Sequence, residues 1–389
     1  MEKKSIHDIL PVELIHRILL RVPAKHLARL RCVSKLWYSL ISDPHFAEMH
    51  FHHSPASTYV FIENDTMAYF VDLDALFRDN NDALQVRKVS LPFKMKSPPR
   101  FEVLGSCRGF VLLHQHGRFL VVWNPLTGSS KLISYSHIAS RFKPRGWSSF
   151  DFDVYGFCYD ASHDDYLVFL GWQNEHGRDH FHCFSLRTNS WIDFGDALLK
   201  PLGFDNWQSC GLFLNGAFHW VPSRPKDYRD AILIFDLKER TFSTISAPEQ
   251  LRTSYYSSLT LLGGCLALYY YNDDSYKTDI WVMKEYKVHS SWTLYQIPFR
   301  FQPLYLPSAM DLIGKGYDYE WELYIYNFRE ERLQRRFEHH CFFIDYAAAD
   351  AVYTESLLPL PSDLKDKDKE ENGHQVLQEC YELLDVADG

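Results

Sequence analysis

FLVVW-NPLTG-SSKLI, residues Phe119 to Ile133, decides the fold. Five apolar residues in a row are followed by a polar turn and then by a second, shorter apolar run. Pro125 presets the backbone for the turn and Gly128 relaxes its steric limits, so the chain reverses between two strands. The same phrase returns in looser form along the chain. Tyr69–Val71 leads to Asp72, His180–Phe184 to Ser185 and on to Trp191, and Ile232–Phe235 to Asp236 and Phe242. Asp279–Met283 leads to Lys284 and Trp292, and Leu323–Tyr326 to Asn327.

The turn positions 72, 124, 185, 236, 284 and 327 are spaced by 43 to 61 residues. Short strands between turn signals, at a period near 40 to 50 residues with several strands per period, are the pattern of propeller blades. A single blade cannot bury both of its faces, so neighbouring blades must stack. The reading is a mainly β chain with a β-propeller-like domain of about six blades over residues 59–360. A pair of packed antiparallel sheets is the alternative.

Residues 5–50 follow another rule. Leu10-Pro11 opens a helix, with proline's fixed φ suited to its first position. Glu13 falls in the first turn, where the helix dipole favours a carboxylate. Leu14, Ile15, Ile18 and Leu19 form a wide apolar stripe at helical spacing. Pro23 ends that helix or opens the next. A second short helix holds Leu27 and Leu30, and a third holds Val33, Trp37, Leu40 and Ile41, with Asp43-Pro44 as its stop. Three helices in about forty residues make a core too small to stand alone, and without metal-ligand or disulfide spacing a partner surface is the expected support.

The order Leu10-Pro11, Glu13-Leu14-Ile15, Ile18-Leu19, Val22-Pro23, Lys25, Leu27, Arg29, Arg31, Val33-Ser34-Lys35, Trp37 and Leu40-Ile41 resembles a plant-type F-box. The resemblance implies docking on the Skp-type adaptor of an SCF (Skp–cullin–F-box) ubiquitin ligase, and through it on cullin and RING subunits. On that footing Leu10, Pro11, Leu14, Ile15, Ile18, Leu19, Leu27 and Val33 supply the adaptor contact, while Trp37, Leu40 and Ile41 hold the helices together. The phrases Gly105–Leu113, Trp123–Gly128, Tyr155–Asp160, Gly216–Trp220 and Ala231–Leu237 are similar to the F-box-associated, kelch-like domain of plant F-box proteins. S-locus and defence-regulator F-box proteins share this layout. The implied function is recruitment of a protein substrate, of unstated identity, for ubiquitination and degradation.

Composition is compatible with this. Of 389 residues, 46% are hydrophobic and 16% aromatic, which supports a packed core;. The net charge of −9 argues against a nucleic-acid sheath;. The densest basic run, Arg329, Arg332, Arg335 and Arg336, is interleaved with Glu330, Glu331 and Glu338 and reads as a solvated turn and strand edge. The longest apolar run, Leu259 to Tyr271, is broken by Gly263-Gly264 and is too short to span a membrane as a helix;. With no signal-like apolar start, a soluble protein of the cytoplasm and/or nucleus is expected. The eight cysteines, Cys32, Cys107, Cys158, Cys183, Cys210, Cys265, Cys341 and Cys380, contain no C-x-x-C and read as free thiols;. Residues 361–389 read as a charged linker, Lys365–Gly373, and a short tail helix with Val376, Leu377, Cys380, Tyr381 and Leu384 at helical spacing;. That helix is either a frayed end or a docking element.

Catalytic patterns are weak. Gly105-Ser-Cys-Arg-Gly109 has the spacing of a nucleophile elbow, but an elbow needs a helix after it and a β run follows. His180 and His182, with His176 and Cys183 nearby, could share one strand face but lack a full ligand set, so no metal and no cofactor is expected. His52-His53 and His339-His340 are poorer still. Gly314-Lys-Gly316 lacks the remaining residues of a phosphate loop. Asp164-Asp165 and Asp273-Asp274 suit hairpin turns. A propeller hydrolase with acids around its channel, and an F-box scaffold that does not ubiquitinate, are the alternatives to a non-catalytic receptor.

Overall fold

The apolar run that opens each repeated phrase above is the third strand of a four-stranded antiparallel meander. A computed structural model describes residues 10–53, 57–63, 67–78, 86–92, 101–115, 119–139, 154–173, 179–195, 209–221, 231–248, 257–272, 274–316, 321–339 and 350–361. The expected linker and tail helix beyond Pro361 lie outside them, as do His176, Asp273 and His340.

Blade 1 holds β1 (Ser57–Glu63), β2 (Met67–Asp72) and β3 (Arg87–Ser90). Blade 2 holds β4 (Phe101–Cys107), β5 (Phe110–Gln115), β6 (Phe119–Trp123) and β7 (Ser130–Ser134). Blade 3 holds β8 (Val154–Asp160), β9 (Asp165–Gln173), β10 (Asp179–Ser185) and β11 (Ser190–Gly195). Blade 4 holds β12 (Ser209–Leu214), β13 (Ala217–Trp220), β14 (Ala231–Asp236) and β15 (Thr241–Ser246). Blade 5 holds β16 (Ser257–Leu262), β17 (Cys265–Asn272), β18 (Lys277–Met283) and β19 (Trp292–Ile297). Blade 6 holds β20 (Phe301–Tyr305), β21 (Asp311–Gly316), β22 (Trp321–Asn327) and β23 (Arg332–His339).

The first strand of blade 1 comes from the far end of the chain. β24 (Asp350–Thr354) pairs antiparallel with β1, Thr58 opposite Tyr353 and Val60 opposite Ala351. The first strands then run side by side in the order β24, β4, β8, β12, β16, β20. Blades 3 and 4 are joined further, because β8 and β12 pair in parallel, Cys210 opposite Tyr155. Trp220 Nε1 donates to the Tyr155 carbonyl at 3.2 Å across that seam. At Gly211 a β-carbon would stand 2.6 Å from Trp220 Nε1, so a larger residue there would displace the indole.

Among the described residues, six apolar clusters hold the molecule together. Five of them sit between successive blades around the ring: 1 and 2, 3 and 4, 4 and 5, 5 and 6, and 6 and 1. In the last, Tyr59, Tyr69 and Val71 meet Leu304, Ile313 and Leu323, which closes the circle. The sixth lies between blades 2 and 3 and takes in the N-terminal helices. Paired packed sheets are thereby replaced by a ring.

Among its described residues the N-terminal unit has four helices where three were expected: α1 (Val12–Leu19), α2 (Ala24–Leu30), α3 (Lys35–Ile41) and α4 (Pro44–His53). Pro11 and Pro23 each stand just before a helix, so Pro23 opens α2. Ser34 caps α3 by accepting from the Trp37 amide at 3.2 Å. Asp43-Pro44 does end α3, but it also starts α4. Asp43 Oδ1 accepts from the Phe46 amide at 2.9 Å, and Pro44 takes the first helical position, where its missing N–H costs nothing;. Two further helices, α5 (Leu73–Arg78) and α6 (Ser136–Ala139), interrupt the strand order inside the ring.

In a meander the first-to-second and third-to-fourth turns emerge at one end, and the helical cap covers that end at blades 2 and 3. Residues 93–100, 140–153, 196–208, 249–256 and 340–349 lie outside the described residues.

Candidate functional site

Helix α1 is apolar on two sides. Its inner side puts Ile15 and Leu19 into the cluster shared with blades 2 and 3, along with Leu27 of α2 and Ile41 of α3. Its outer side leaves Leu14 at 44% and Ile18 at 54% exposure, one helical turn apart;. Val12 and Pro11 are exposed beside them, and Leu10 is half-buried. In the turn before α3, Val33 is 64% exposed, and within α3 Tyr38 is 60% exposed. Fully burying a Leu or Ile is worth about 1.5–3 kcal/mol relative to leaving it in water. Leu14 and Ile18 on α1, Val33 before α3 and Tyr38 within it are thus large apolar side chains left open to solvent.

The structure therefore divides the eight residues expected at an adaptor contact. Pro11, Leu14, Ile18 and Val33 face solvent, and Leu10 lies at the margin. Ile15, Leu19 and Leu27 are buried, so they hold the helices in place and present no surface to an incoming chain. Of the residues expected to hold the helices together, Ile41 is buried while Trp37 and Leu40 are half-buried against the same cluster. A stripe four residues wide could not reveal this split, because α1 alternates its inward and outward positions within a single turn. Tyr38 carried no signal of its own.

The platform is tied to the ring by polar contacts at its edge. Arg108, in the β4–β5 turn, reaches both carboxylate oxygens of Glu48 on α4 through one nitrogen, Nη2. Its guanidinium lies 3.8 Å over the Tyr159 ring and 5.3 Å from that of Phe51. Lys25 of α2 stands 4.0 Å from Asp72 at the end of β2. Within the cap, buried His50 donates through Nε2 to the Val22 carbonyl at 2.7 Å. Burial lowers its pKa and keeps the ring neutral, with the Val22 bond opposing in part;.

After β24 the chain turns back under the cap. Asn124 Nδ2 donates to the carbonyls of Ser356, at 3.0 Å, and Leu358, at 3.3 Å. Leu357, Leu358 and Leu360 are buried in the cluster that holds Ile15 and Leu19. Gly109, at φ +87°, lets this segment pass, because a β-carbon there would stand 2.0 Å from that of Ser356. Gly105–Cys107 thus end β4, and Arg108-Gly109 make a hairpin turn and not an elbow. Burial pushes the Cys107 thiol up to about 12, the reverse of nucleophile activation;.

The other chemical motifs are structural. His180 and His182 both pack on Trp172, and His182 Nε2 stands 3.7 Å from Asp193. Among the described residues no three His, Cys, Asp or Glu side chains are grouped to hold a metal. Gly314 and Gly316 lie within β21 and form no phosphate loop. Asp165 is buried and accepts from Ser185 Oγ and from the Arg187 amide, clipping the third turn of blade 3. No described helix is long and apolar enough to cross a membrane.

Comparison with known proteins fits these two units. The model of the F-box domain matches residues 8–48, and that of the F-box associated beta propeller domain matches residues 59–355. The chain is 32% identical over 308 residues to F-box protein CPR1 of Arabidopsis thaliana, across 73% of this chain and 71% of that one. It is 30% identical over 311 residues to the F-box/kelch-repeat protein At3g23880 of the same plant, across 76% and 81%. F-box protein ETP2, also of Arabidopsis thaliana, is 27% identical over 294 residues, across 72% of each. The chain belongs to the F-box proteins that carry an F-box associated β-propeller domain.

Proposed function

We propose that the protein is a substrate-recognition subunit of an SCF-type ubiquitin ligase. The cap docks on a Skp-type adaptor, and through it on the cullin and RING subunits. The propeller binds a target protein for ubiquitination and proteasomal degradation. The observation that carries this reading is the open apolar face of Leu14, Ile18 and Val33 inside the region that matches the F-box.

The mechanism is proximity. The receptor performs no bond chemistry; it holds a target beside the charged conjugating enzyme and so raises the local concentration of the reacting groups. A rigid junction serves this purpose, since a hinged one would spread the target over many positions. The apolar core running from α1 and α2 into blades 2 and 3 supplies that rigidity. The protein acts in the cytoplasm and/or the nucleus.

The test is co-purification with a Skp-type adaptor. Leu14→Asp with Ile18→Asp abolishes it while the ring stays folded. Undiminished adaptor binding by that variant removes the proposal. Loss of a bound partner that stops under proteasome inhibition separates a degradative receptor from a scaffold.

A further inference from the structure

The cap is basic in an acidic chain. Residues 10–53 carry six Lys and Arg against three Asp and Glu, a net +3, whereas the whole chain is −9. Leu14, Arg17, Ile18 and Arg21 fall at i, i+3, i+4 and i+7 along α1 and the turn after it, and all four are exposed;. Arg17, Arg21 and Arg29 take part in none of the ion pairs among the described residues. Arg17 and Arg21 thus edge the open apolar strip of α1, with no ion pair among the described residues.

The chain itself contains a segment of matching chemistry. Residues 362–389 carry nine Asp and Glu against three Lys, a net −6. Within them Val376, Leu377, Cys380, Tyr381 and Leu384 repeat at helical spacing, with Glu379, Glu382 and Asp385 among them and no Lys or Arg from Val376 onward;. The segment also leaves from the right place, because Leu360 is fully buried in the cluster that contains Ile15 and Leu19. The 14 residues Ser362–Gln375 can reach about 46 Å when extended, enough to bring it to any face of the cap;.

We propose that Val376–Leu384 docks in cis, as an amphipathic helix, on the exposed face of α1, and so competes with the adaptor for Leu14 and Ile18. The proposal rests on the adaptor reading above. An isolated helix of this length is marginal in water, so covering its apolar side favours it. A tether of about this length gives an effective concentration of about 1 mM, so a contact of only about 0.1 mM affinity is formed roughly ten to one. The apparent affinity for the adaptor then falls about tenfold.

The experiment compares the full chain, the chain ended at Pro361, and the full chain with Val376→Asp and Tyr381→Asp. Each is titrated with a purified Skp-type adaptor, and amide exchange over Val12–Leu19 is followed without adaptor. Both altered chains bind about tenfold more tightly than the full chain, the gap narrows as salt is raised, and exchange at α1 accelerates in both. Equal affinity together with equal exchange overturns the proposal. Weaker adaptor binding after truncation overturns it as well, by making the tail part of the adaptor interface. Should no chain bind adaptor, the receptor reading fails, and the exchange comparison alone decides whether the tail covers α1.

Discussion

Arg108 binds Glu48 across the junction between ring and cap, one guanidinium nitrogen meeting both carboxylate oxygens while the planar head rests on Tyr159. Glu48 is partly exposed, so the ion pair contributes modestly and the stacked guanidinium adds to it;. Arg108→Ala is expected to destabilise the protein by about 1–2 kcal/mol. A double-mutant cycle with Glu48→Gln isolates the pair. Faster amide exchange over α4 in either single variant checks that the loss lies at the junction, and exchange unchanged there argues that Arg108 acts only within blade 2.

Contact and core residues on α1 should separate cleanly. Leu14→Asp and Ile18→Asp alter exposed positions and are expected to leave the thermal midpoint nearly unchanged while removing adaptor binding. Ile15→Ala and Leu27→Ala open cavities in the buried cluster and should cost about 2–5 kcal/mol each. Calorimetry beside an adaptor pull-down distinguishes the two sets.

His219 is expected to make the fourth blade sensitive to acid. It is fully buried on β13, with Nδ1 3.1 Å from the Leu212 carbonyl and Nε2 2.8 Å from the Tyr286 hydroxyl. Burial pulls its pKa down to about 4, so the unfolded chain binds the extra proton first;. Its share of stability is complete above about pH 6.5 and drains away as pH falls toward 4, on the order of 3 kcal/mol in all;. Unfolding midpoints between pH 7 and pH 5 should drop less in His219→Gln than in the native chain. A parallel decline in both would assign the acid lability to other groups.

The thiols should react in a defined order. Cys32 is exposed beside Val33, whereas burial holds the thiols of Cys107, Cys158 and Cys183 well above their ordinary range. Alkylation followed by peptide mass spectrometry is expected to modify Cys32 in the folded protein and leave those three untouched until denaturant is added. Bound adaptor should slow the reaction at Cys32, since its neighbour Val33 lies on the proposed contact face.

Phe119–Ile133 and its looser copies determined by themselves that the chain is built of repeated β-meanders, because a short apolar run and the turn after it are set by neighbours in sequence. Leu10 to Ile41 likewise determined the helical unit and its family. Other features depended on residues far apart in the chain. That β24 closes blade 1, that Asp43-Pro44 begins a fourth helix instead of ending the unit, and that Arg108 anchors Glu48 were decided only in the tertiary structure. The same holds for the division of α1 into buried Ile15 and Leu19 and open Leu14 and Ile18. Periodicity tells which residues share a helix face, but which face meets the core depends on where blades 2 and 3 stand, and no local pattern contains that.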